Sequence, residues 1–412
     1  MISVESALET ILKEIRPLGL ESVDVMTALG RTTGEDIRAT RPNPPWDNSA
    51  MDGYALIDSD TKGASDDKPA RLKVIYDLPA GQVPKGPVEK GQAVRIMTGA
   101  PVPEGATAVV MVEKTSSGEG FVIVRSEVKP GENIRKSGED FKSGEVVVKK
   151  GSLVRPAEVS MLATVGAPFL LVYRRPRVAI VSTGDELCEI NEAPSKGKIL
   201  NSNGYALAAL AAMCGAEPVQ LGIARDTKES LREKLKAAME ADCIISSGGV
   251  SVGDYDFVKD VLKELGSEMI FWKVAMKPGK PLAFGVIGGK PAFGLPGNPI
   301  SSMVAFEQFV RPALYKMAGR KDIFTSVFRA RITKDLKIKP GRMNFIRAEL
   351  ASTDTGFSVT PLDGQGSGVI STMVRANSFI IVPQDSTGFK KDDIVKVQPF
   401  DPSILLKDAP GY

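Results

Sequence analysis

Residues 177–223, RVAIVSTGDELCEINEAPSKGKILNSNGYALAALAAMCGAEPVQLGI, decide the fold class. RVAIVS is a short, nearly continuous apolar run, the pattern of a strand covered on both faces. NGYALAALAAMCG has the length and composition of a helix closed by glycine, and PVQLGI is a second strand. Downstream the alternation continues with a helix from Asp226, the strand DCIISS, a helix from about Asp256, a hairpin-like stretch and a long helix after Asn298. This predicts a doubly wound α/β domain with a mostly parallel sheet over 174–322.

The flanking segments read differently. Residues 41–140 carry short apolar runs (RLKVIY, QAVRIM, ATAVVMVE, GFVIV) broken by Pro and Gly, which predicts a β-rich module. Val4, Ala7, Leu8, Ile11, Leu12 and Ile15 recur at helical spacing after Ser3, a candidate N-cap, until Pro17 stops them. Residues 1–40 thus form a small helical and extended segment, completed by about 141–173, where Pro156 opens a short helix and Gly166 closes it before the basic linker YRRPR. Residues 323–412 return to short β runs with Gly and Asp turns, the pattern of a small β-barrel. The fold class is α/β plus β in a multidomain chain, in keeping with 412 residues at about 150 per domain.

Composition narrows the chemistry. Lys+Arg total 53 against Asp+Glu 50, so the chain lacks the basic excess of a nucleic-acid or membrane-surface binder, and any anion binding is local. The opening residues MISVESALETILKEIRP do not read as a signal peptide, and no stretch approaches the roughly 20 apolar residues of a spanning helix. Cys188, Cys214 and Cys243 are odd in number, widely spaced and without a CxxC pair, which reads as buried thiols in a reducing cytoplasm. Histidine is absent, which removes the common general base and most transition-metal sites. Carboxylates, lysines, arginines, hydroxyls, backbone amides and a hard metal ion remain.

Three polar motifs fall where α/β strands end. They are Ser182-Thr183-Gly184-Asp185-Glu186, Ser246-Ser247-Gly248-Gly249, and Leu295-Pro296-Gly297-Asn298-Pro299. Ligands of open α/β sheets bind at the carboxyl ends of strands, and Gly-rich turns that open a helix offer N–H groups to phosphate. Singly, each motif is as readily a tight turn or a helix cap; together they point to a site. Lys273, Lys277 and Lys280 lie in FWKVAMKPGKP, where two prolines stiffen a loop suited to an oxyanion or, more blandly, a solvated basic loop. Carboxylates beside such lysines commonly hold Mg²⁺, and Asp52, Asp140, Glu186, Asp226, Asp254 and Asp256 are the candidates. Asp226 with Glu229 also fits a capping box, and Asp185 reads as turn geometry.

DNSAMDGYA (47–55), RIMTGAPVPEGATAVVMVE (95–113), NIRKSGED (133–140), STGDEL (182–187), SSGGVSVGDYDFVK (246–259), FWKVAMKPGKP (271–281) and LPGNP (295–299) together resemble the molybdopterin molybdenumtransferase family, which includes the E domain of gephyrin. The resemblance implies that adenylylated molybdopterin and molybdate yield molybdenum cofactor and AMP, with Mg²⁺, in a cytoplasmic homodimer. It also implies an upstream adenylyltransferase and downstream delivery or recipient proteins as partners. Carried over residue by residue, it assigns Asp52, Thr98, Arg135, Asp140, Lys273 and Lys277 to the reaction and Glu186 and Asp256 to the metal. It assigns Ser182, Thr183, Gly184, Glu186, Asp226, Ser247, Gly248, Gly249, Lys280, Pro296, Gly297, Asn298 and Pro299 to the substrate. Asp52 and Asp140 are then expected to orient Arg135 or a metal, because a carboxylate repels an oxyanion. A molybdopterin adenylyltransferase would match the α/β part alone, and a noncatalytic gephyrin-like scaffold would be expected to carry a fused domain or long linker.

Overall fold

A computed structural model describes residues 1–248, 261–354 and 356–406, and the chain divides into two compact units. One unit comprises Asp36–Lys150 and Pro156–Pro168, the other Met1–Glu35, Gly151–Arg155 and Phe169–Tyr412.

The first unit is built on a six-stranded sheet. After the short strand β1 (Asn48–Ser49) come β2 (Gly53–Leu56), β3 (Ala70–Leu78), β4 (Gln92–Ile96), β5 (Ala108–Met111), β6 (Thr115–Gly118), β7 (Phe121–Val124) and the short β8 (Ile134–Arg135). The order is β5-β2-β4-β3-β7-β6, parallel only between β3 and β4, while β1 pairs with β8. β2 is buried on both faces and divides its side chains between two cores: Tyr54 and Leu56 join Val110 and Val122, and Ala55 joins Val94 and Val109.

The second unit shows how four consecutive residues organise a doubly wound sheet. On β9 (Arg177–Thr183), Val178 and Ile180 enter one hydrophobic core, while Ala179 and Val181 enter another. Helix α1 (Ser202–Met213) supplies Leu207 and Ala211 to the first core, and α2 (Lys228–Ala238) supplies Leu231 and Leu235 to the second. Between and after them run β10 (Glu217–Ala224), β11 (Cys243–Ser247), β12 (Glu268–Phe271), the short β13 (Met276–Lys277), β14 (Ala283–Ile287) and β15 (Lys290–Leu295). The sheet order is β10-β9-β11-β15-β14-β12, parallel through its first four strands and antiparallel at the β14–β15 hairpin and at β12. The expected mostly parallel sheet is present.

Helix Val4–Glu14 buries Val4, Ala7 and Ile11 in the first of these cores, and Ser3 caps it as read, its Oγ accepting from Ser6 N at 3.1 Å. α2 departs from the reading. Thr227, not Asp226, is its cap, with Oγ1 accepting from Ser230 N at 3.2 Å, so the Asp226/Glu229 capping box does not form. The helix after Asn298 starts as α3 (Pro299–Ala305), passes through a π-helical segment at Phe306–Val310 and ends as α4 (Arg311–Met317).

The C-terminal strands β16 (Phe328–Ile332), β17 (Met343–Thr353), β18 (Gly356–Pro361), β19 (Ser378–Val382) and β20 (Ile394–Pro399) close a barrel in the order β17-β18-β16-β20-β19 and back to β17. β13 adds to it by pairing Met276 with Met343 and Lys277 with Asn344. The expected barrel is therefore closed, and it reaches back to the lysine loop through β17.

Glu307 of the π-helical segment and Arg311, the first residue of α4, are both buried and form a bidentate pair at 2.6 and 2.7 Å. Replacing Arg311 by methionine leaves a buried carboxylate uncompensated and should cost about 3–5 kcal/mol, whereas pairing it with Glu307→Gln should recover much of the loss. Chemical denaturation monitored on this unit checks it; equal losses in single and double variants would contradict the pairing account.

Candidate functional site

Strands β9, β11 and β15 are hydrogen-bonded neighbours in the parallel part of the sheet, so their carboxyl ends, Thr183, Ser247 and Leu295, lie side by side. The three motifs read from sequence are thereby brought to one edge. Gly248 N donates to Leu295 O at 3.1 Å, and Thr183 Oγ1 donates to Ser247 O at 3.4 Å. Asn203, at the start of α1, ties the ends together: its Nδ2 donates to Ser247 Oγ at 2.8 Å and to Gly297 O at 2.7 Å. Ser182 Oγ donates to Asn201 Oδ1 at 2.7 Å, and that same oxygen caps α1 through Gly204 N. Sequence reading took Asn203 only as a helix start and passed over Asn201; no spacing rule marks an asparagine that bridges two strand ends.

This edge exposes bare backbone. Gly248 has φ +91, and a Cβ there would lie 2.7 Å from Thr183 O, while a Cβ on Gly297 would meet only Gly248 Cα, at 3.9 Å. Pro299 is the first residue of α3, where a missing N–H costs nothing. Asn298 occupies the cap position, but its side chain accepts no capping bond, so its amide and the exposed Gly297 backbone are open to a ligand. Pro296 O accepts from Ser302 Oγ and is held from behind. Gly249, Asp254 and Asp256 lie outside the described residues.

The acidic side of the edge follows β9 and β10. Asp185 N donates to Asp226 Oδ2 at 3.2 Å, and Asp226 N donates to Asp185 Oδ1 at 3.2 Å, a reciprocal clamp that agrees with reading Asp185 as turn geometry. The exposed Glu186 carboxylate lies over Gly184, where φ is +141 and a Cβ would sit 2.4 Å from Glu186 Oε2. Among the described residues it has no hydrogen-bond or ion-pair partner, and no group of three or more His, Cys, Asp or Glu gathers to hold a metal. One open carboxylate suits Mg²⁺, which keeps several waters and takes one or two carboxylates plus substrate oxygens; it does not suit an all-protein cage.

Lys273, Lys277 and Lys280 are exposed, and their ammonium groups have no partner among the described residues. The backbone between them is fixed. Val274 N donates to Lys280 O at 3.1 Å, and Met276 and Lys277 pair with β17. The loop therefore presents cations from a rigid base. All three cysteines are buried, and burial pushes the Cys214 thiol up to about 12 and raises that of Cys243 as well, so neither of these two is a ready thiolate ligand.

In the β-rich unit a second set of predicted residues converges. Gly99 N donates to Ser49 O at 2.8 Å, Ser49 N to Ala100 O at 3.0 Å, and Ala50 N to Asn133 O at 2.8 Å, which joins the loops carrying Asp52, Thr98 and Arg135. Asp52 Oδ1 accepts from Thr98 N at 2.7 Å and Thr98 Oγ1 at 2.8 Å, and these donors hold its carboxyl below the usual carboxylate range. Asp140 Oδ2 accepts from Asn43 Nδ2 at 2.9 Å. Neither carboxylate touches Arg135. Of the two expectations for them, orienting Arg135 or orienting a metal, the first is corrected, because nearer neutral donors satisfy both; the exposed Arg135 guanidinium has no partner among the described residues. Sequence reading also passed over Asp47, whose Oδ2 accepts from Lys136 Nζ at 2.7 Å, and Asn48, whose buried Oδ1 has no partner among the described residues.

Comparison with known proteins covers most of the chain. Residues 2–166 match the MoeA N-terminal region (domain I and II), 179–316 the probable molybdopterin binding domain, and 329–400 the MoeA C-terminal region (domain IV). The chain is 37% identical over 400 residues to a Staphylococcus aureus (strain COL) protein named molybdopterin molybdenumtransferase, covering 96% of this chain and 95% of that one. A Staphylococcus epidermidis (strain RP62A) protein of the same name is 36% identical over 397 residues, with 96% and 95% covered. The crystal structure of the molybdopterin biosynthesis moeA protein from Pyrococcus horikoshii OT3 is similar with a TM-score of 0.85 and 32% identity, covering 97% of this chain and 100% of that one.

The Asp52–Thr98 contact makes a pH prediction. Because the native carboxyl titrates below its unfolded value, the contact is fully present above about pH 3.9 and is lost as pH falls through the lower native value. Thr98→Val removes the hydroxyl bond and should move the Asp52 titration partway back up, the backbone bond remaining. Carbon-detected NMR titration reads this directly, and an unmoved Asp52 in Thr98→Val would show that the hydroxyl contributes nothing.

Proposed function

The chain belongs to the molybdopterin molybdenumtransferase family, and from that premise we propose that it is a transferase of molybdenum cofactor biosynthesis that inserts molybdenum into adenylylated molybdopterin. In this reading molybdate is the second substrate and AMP is released. The observation that carries the reading is the edge formed by Thr183, Ser247–Gly248 and Pro296–Asn298, with Lys273, Lys277 and Lys280, unpartnered among the described residues, in the same unit.

The chemistry of the substrate fits that edge. A phosphoanhydride brings negative charge, for which exposed backbone, a helix start and ammonium groups are the complementary partners. In the cofactor molybdenum is bound through sulfur, and this chain has no histidine and only buried thiols. The dithiolene sulfurs of the substrate supply those ligands, so the protein has to hold the two reactants rather than the metal. Glu186, with Asp256 as second candidate, would hold Mg²⁺, which when bound screens phosphate charge. Asp226 and the Ser182–Gly184 turn would contact the pterin and phosphate groups. In the β-rich unit Arg135 would attract molybdate, with Asp52, Thr98 and Asp140 shaping its surroundings.

We place the protein in the cytoplasm as a homodimer, following the family resemblance and the reduced, buried cysteines. No described helix is long and apolar enough to cross a membrane. The upstream partner would be an adenylyltransferase, and the downstream ones proteins that carry or receive the cofactor.

Purified protein given adenylylated molybdopterin should release AMP only when molybdate is added, and release without molybdate dependence would contradict insertion. Lys277→Ala should weaken ligand binding by roughly 1.5–3 kcal/mol while the protein melts as wild type, because an exposed lysine adds little to folding but a charged hydrogen bond to phosphate adds that much. Calorimetry at low and high salt measures it; unchanged affinity would remove Lys277 from the site. Native mass spectrometry of the same preparation tests the dimer against the 44.0 kDa chain.

A further inference from the structure

The basic linker YRRPR, residues 173–177, leads into the amino end of β9, and nothing in the proposed reaction uses its charge. The seven residues of β9 set the ligand edge roughly 20 Å away, at the other end of the strand. At the linker, Arg174 and Arg175 line one small cavity together with Arg31, Thr32, Gly215 and Arg320. All of them belong to the unit that holds the α/β sheet.

Four guanidinium groups around one opening repel one another, so each calls for compensation. Arg31, itself buried, is held by the Glu21 carboxylate and donates through Nη2 to Tyr173 O at 2.8 Å. Arg174 forms a bidentate pair with Asp242 at 2.8 and 3.1 Å. Arg320 stacks on the Tyr315 ring at 4.0 Å. Arg175 and Arg320 are half-buried, and neither has a hydrogen-bond or carboxylate partner among the described residues. Glu217 lies within electrostatic reach of Arg174 but is exposed and forms no ion pair among the described residues. Four charges therefore face two paired carboxylates, and the charges of Arg175 and Arg320 are left over.

Helix ends do not account for them. The caps of α1 and α4, Cys214 and Ala318, also line the cavity, and helix C-termini attract cations. Yet backbone donors already meet the last carbonyls: Gly215 N donates to Ala212 O at 2.9 Å, Gly319 N to Lys316 O at 3.0 Å and Arg320 N to Tyr315 O at 3.0 Å. No guanidinium of the cavity reaches a helix carbonyl among the described residues. Thr32 is buried as well, and its hydroxyl has no hydrogen-bond partner among the described residues. A free hydroxyl beside two unpaired guanidinium groups is a donor set for an oxyanion. The cavity is only about 20 Å³, so it admits the oxygens of one small ion and no nucleoside.

We propose that this cavity is an anion site separate from the ligand edge, taking a free tetrahedral dianion of the phosphate type between Arg175, Arg320 and the Thr32 hydroxyl. Arg31 and Arg174, fixed by their carboxylates, frame it, and a dianion matches the two charges left over. Its binding ties the linker to the end of α4 through Arg320 and so stiffens the entry to β9.

Thermal unfolding of the full chain at pH 8, in inorganic phosphate against sodium chloride of equal ionic strength, tests this. Phosphate should raise wild-type melting in a saturable way, as a ligand of the folded state does. Lys277→Ala, a change at the ligand edge, should keep the half-saturating concentration within about twofold of wild type, whereas Arg175→Gln should raise it at least about fivefold. Arg175→Gln/Arg320→Gln should abolish the response. In phosphate-free buffer Arg175→Gln should melt no lower than wild type, because it removes repulsion and breaks no bond. An absent response in wild type, an unchanged one in Arg175→Gln, or a loss confined to Lys277→Ala would overturn the site. Lower phosphate-free melting of Arg175→Gln with its phosphate response intact would assign that arginine to the fold instead. If the double variant does not fold, Arg175→Gln decides alone by the same fivefold criterion.

Discussion

The parallel hydrogen bonding of β9, β11 and β15 is the constraint on which the candidate site depends. Register fixes where each strand stops, and because the three run in the same direction their polar ends emerge together. An antiparallel neighbour would have sent one end to the far side of the sheet. The covering cores enforce this register: a slip of one residue in β9 would exchange Val178 and Ile180 with Ala179 and Val181 between two faces packed by different helices. Burial of apolar side chains thus aligns residues that are themselves mostly polar.

The closed barrel extends that alignment to a second source of charge. β17 pairs with β18 and β19 to close the barrel and also with β13, which carries Lys277. The turn after β18 meets the start of α3 through the Ser367–Ile300 bond. A fold with the α/β sheet alone would keep the three strand ends but lose the rigid base of the lysine loop and the support of the Pro296–Pro299 turn. This gives a physical reason for a chain that continues past its nucleotide-like α/β layer.

Much of this was legible in the sequence, for reasons that also mark its limits. Apolar runs bounded by Ser-Thr-Gly, Ser-Ser-Gly-Gly and Pro-Gly-Asn-Pro show strand ends, since burial and turn chemistry are local in sequence. The amphipathic helix after Ser3 and the short strands of the barrel are legible on the same grounds. Partner choice is not local. The cap of α2 moves by one residue to Thr227 because Asp226 is taken by Asp185, a contact made only when β9 and β10 lie side by side. Asn203 becomes a bridge, and Asp52 turns to Thr98 rather than to Arg135, for the same reason. Arg347 reads in sequence as one more strand arginine, and only packing of the outer face of β17, which it shares with Phe345, makes it a buried cation.

The central claim is that the carboxyl ends of β9, β11 and β15 receive the phosphate-bearing part of adenylylated molybdopterin. A crystal structure of the protein soaked with adenylylated molybdopterin and molybdate tests it most directly. The account predicts the phosphoanhydride within hydrogen-bonding reach of the Gly248 and Gly297 backbone, with at least one of Lys273, Lys277 and Lys280 turned toward it. Ligand density anywhere else, with that edge filled only by solvent, would contradict it.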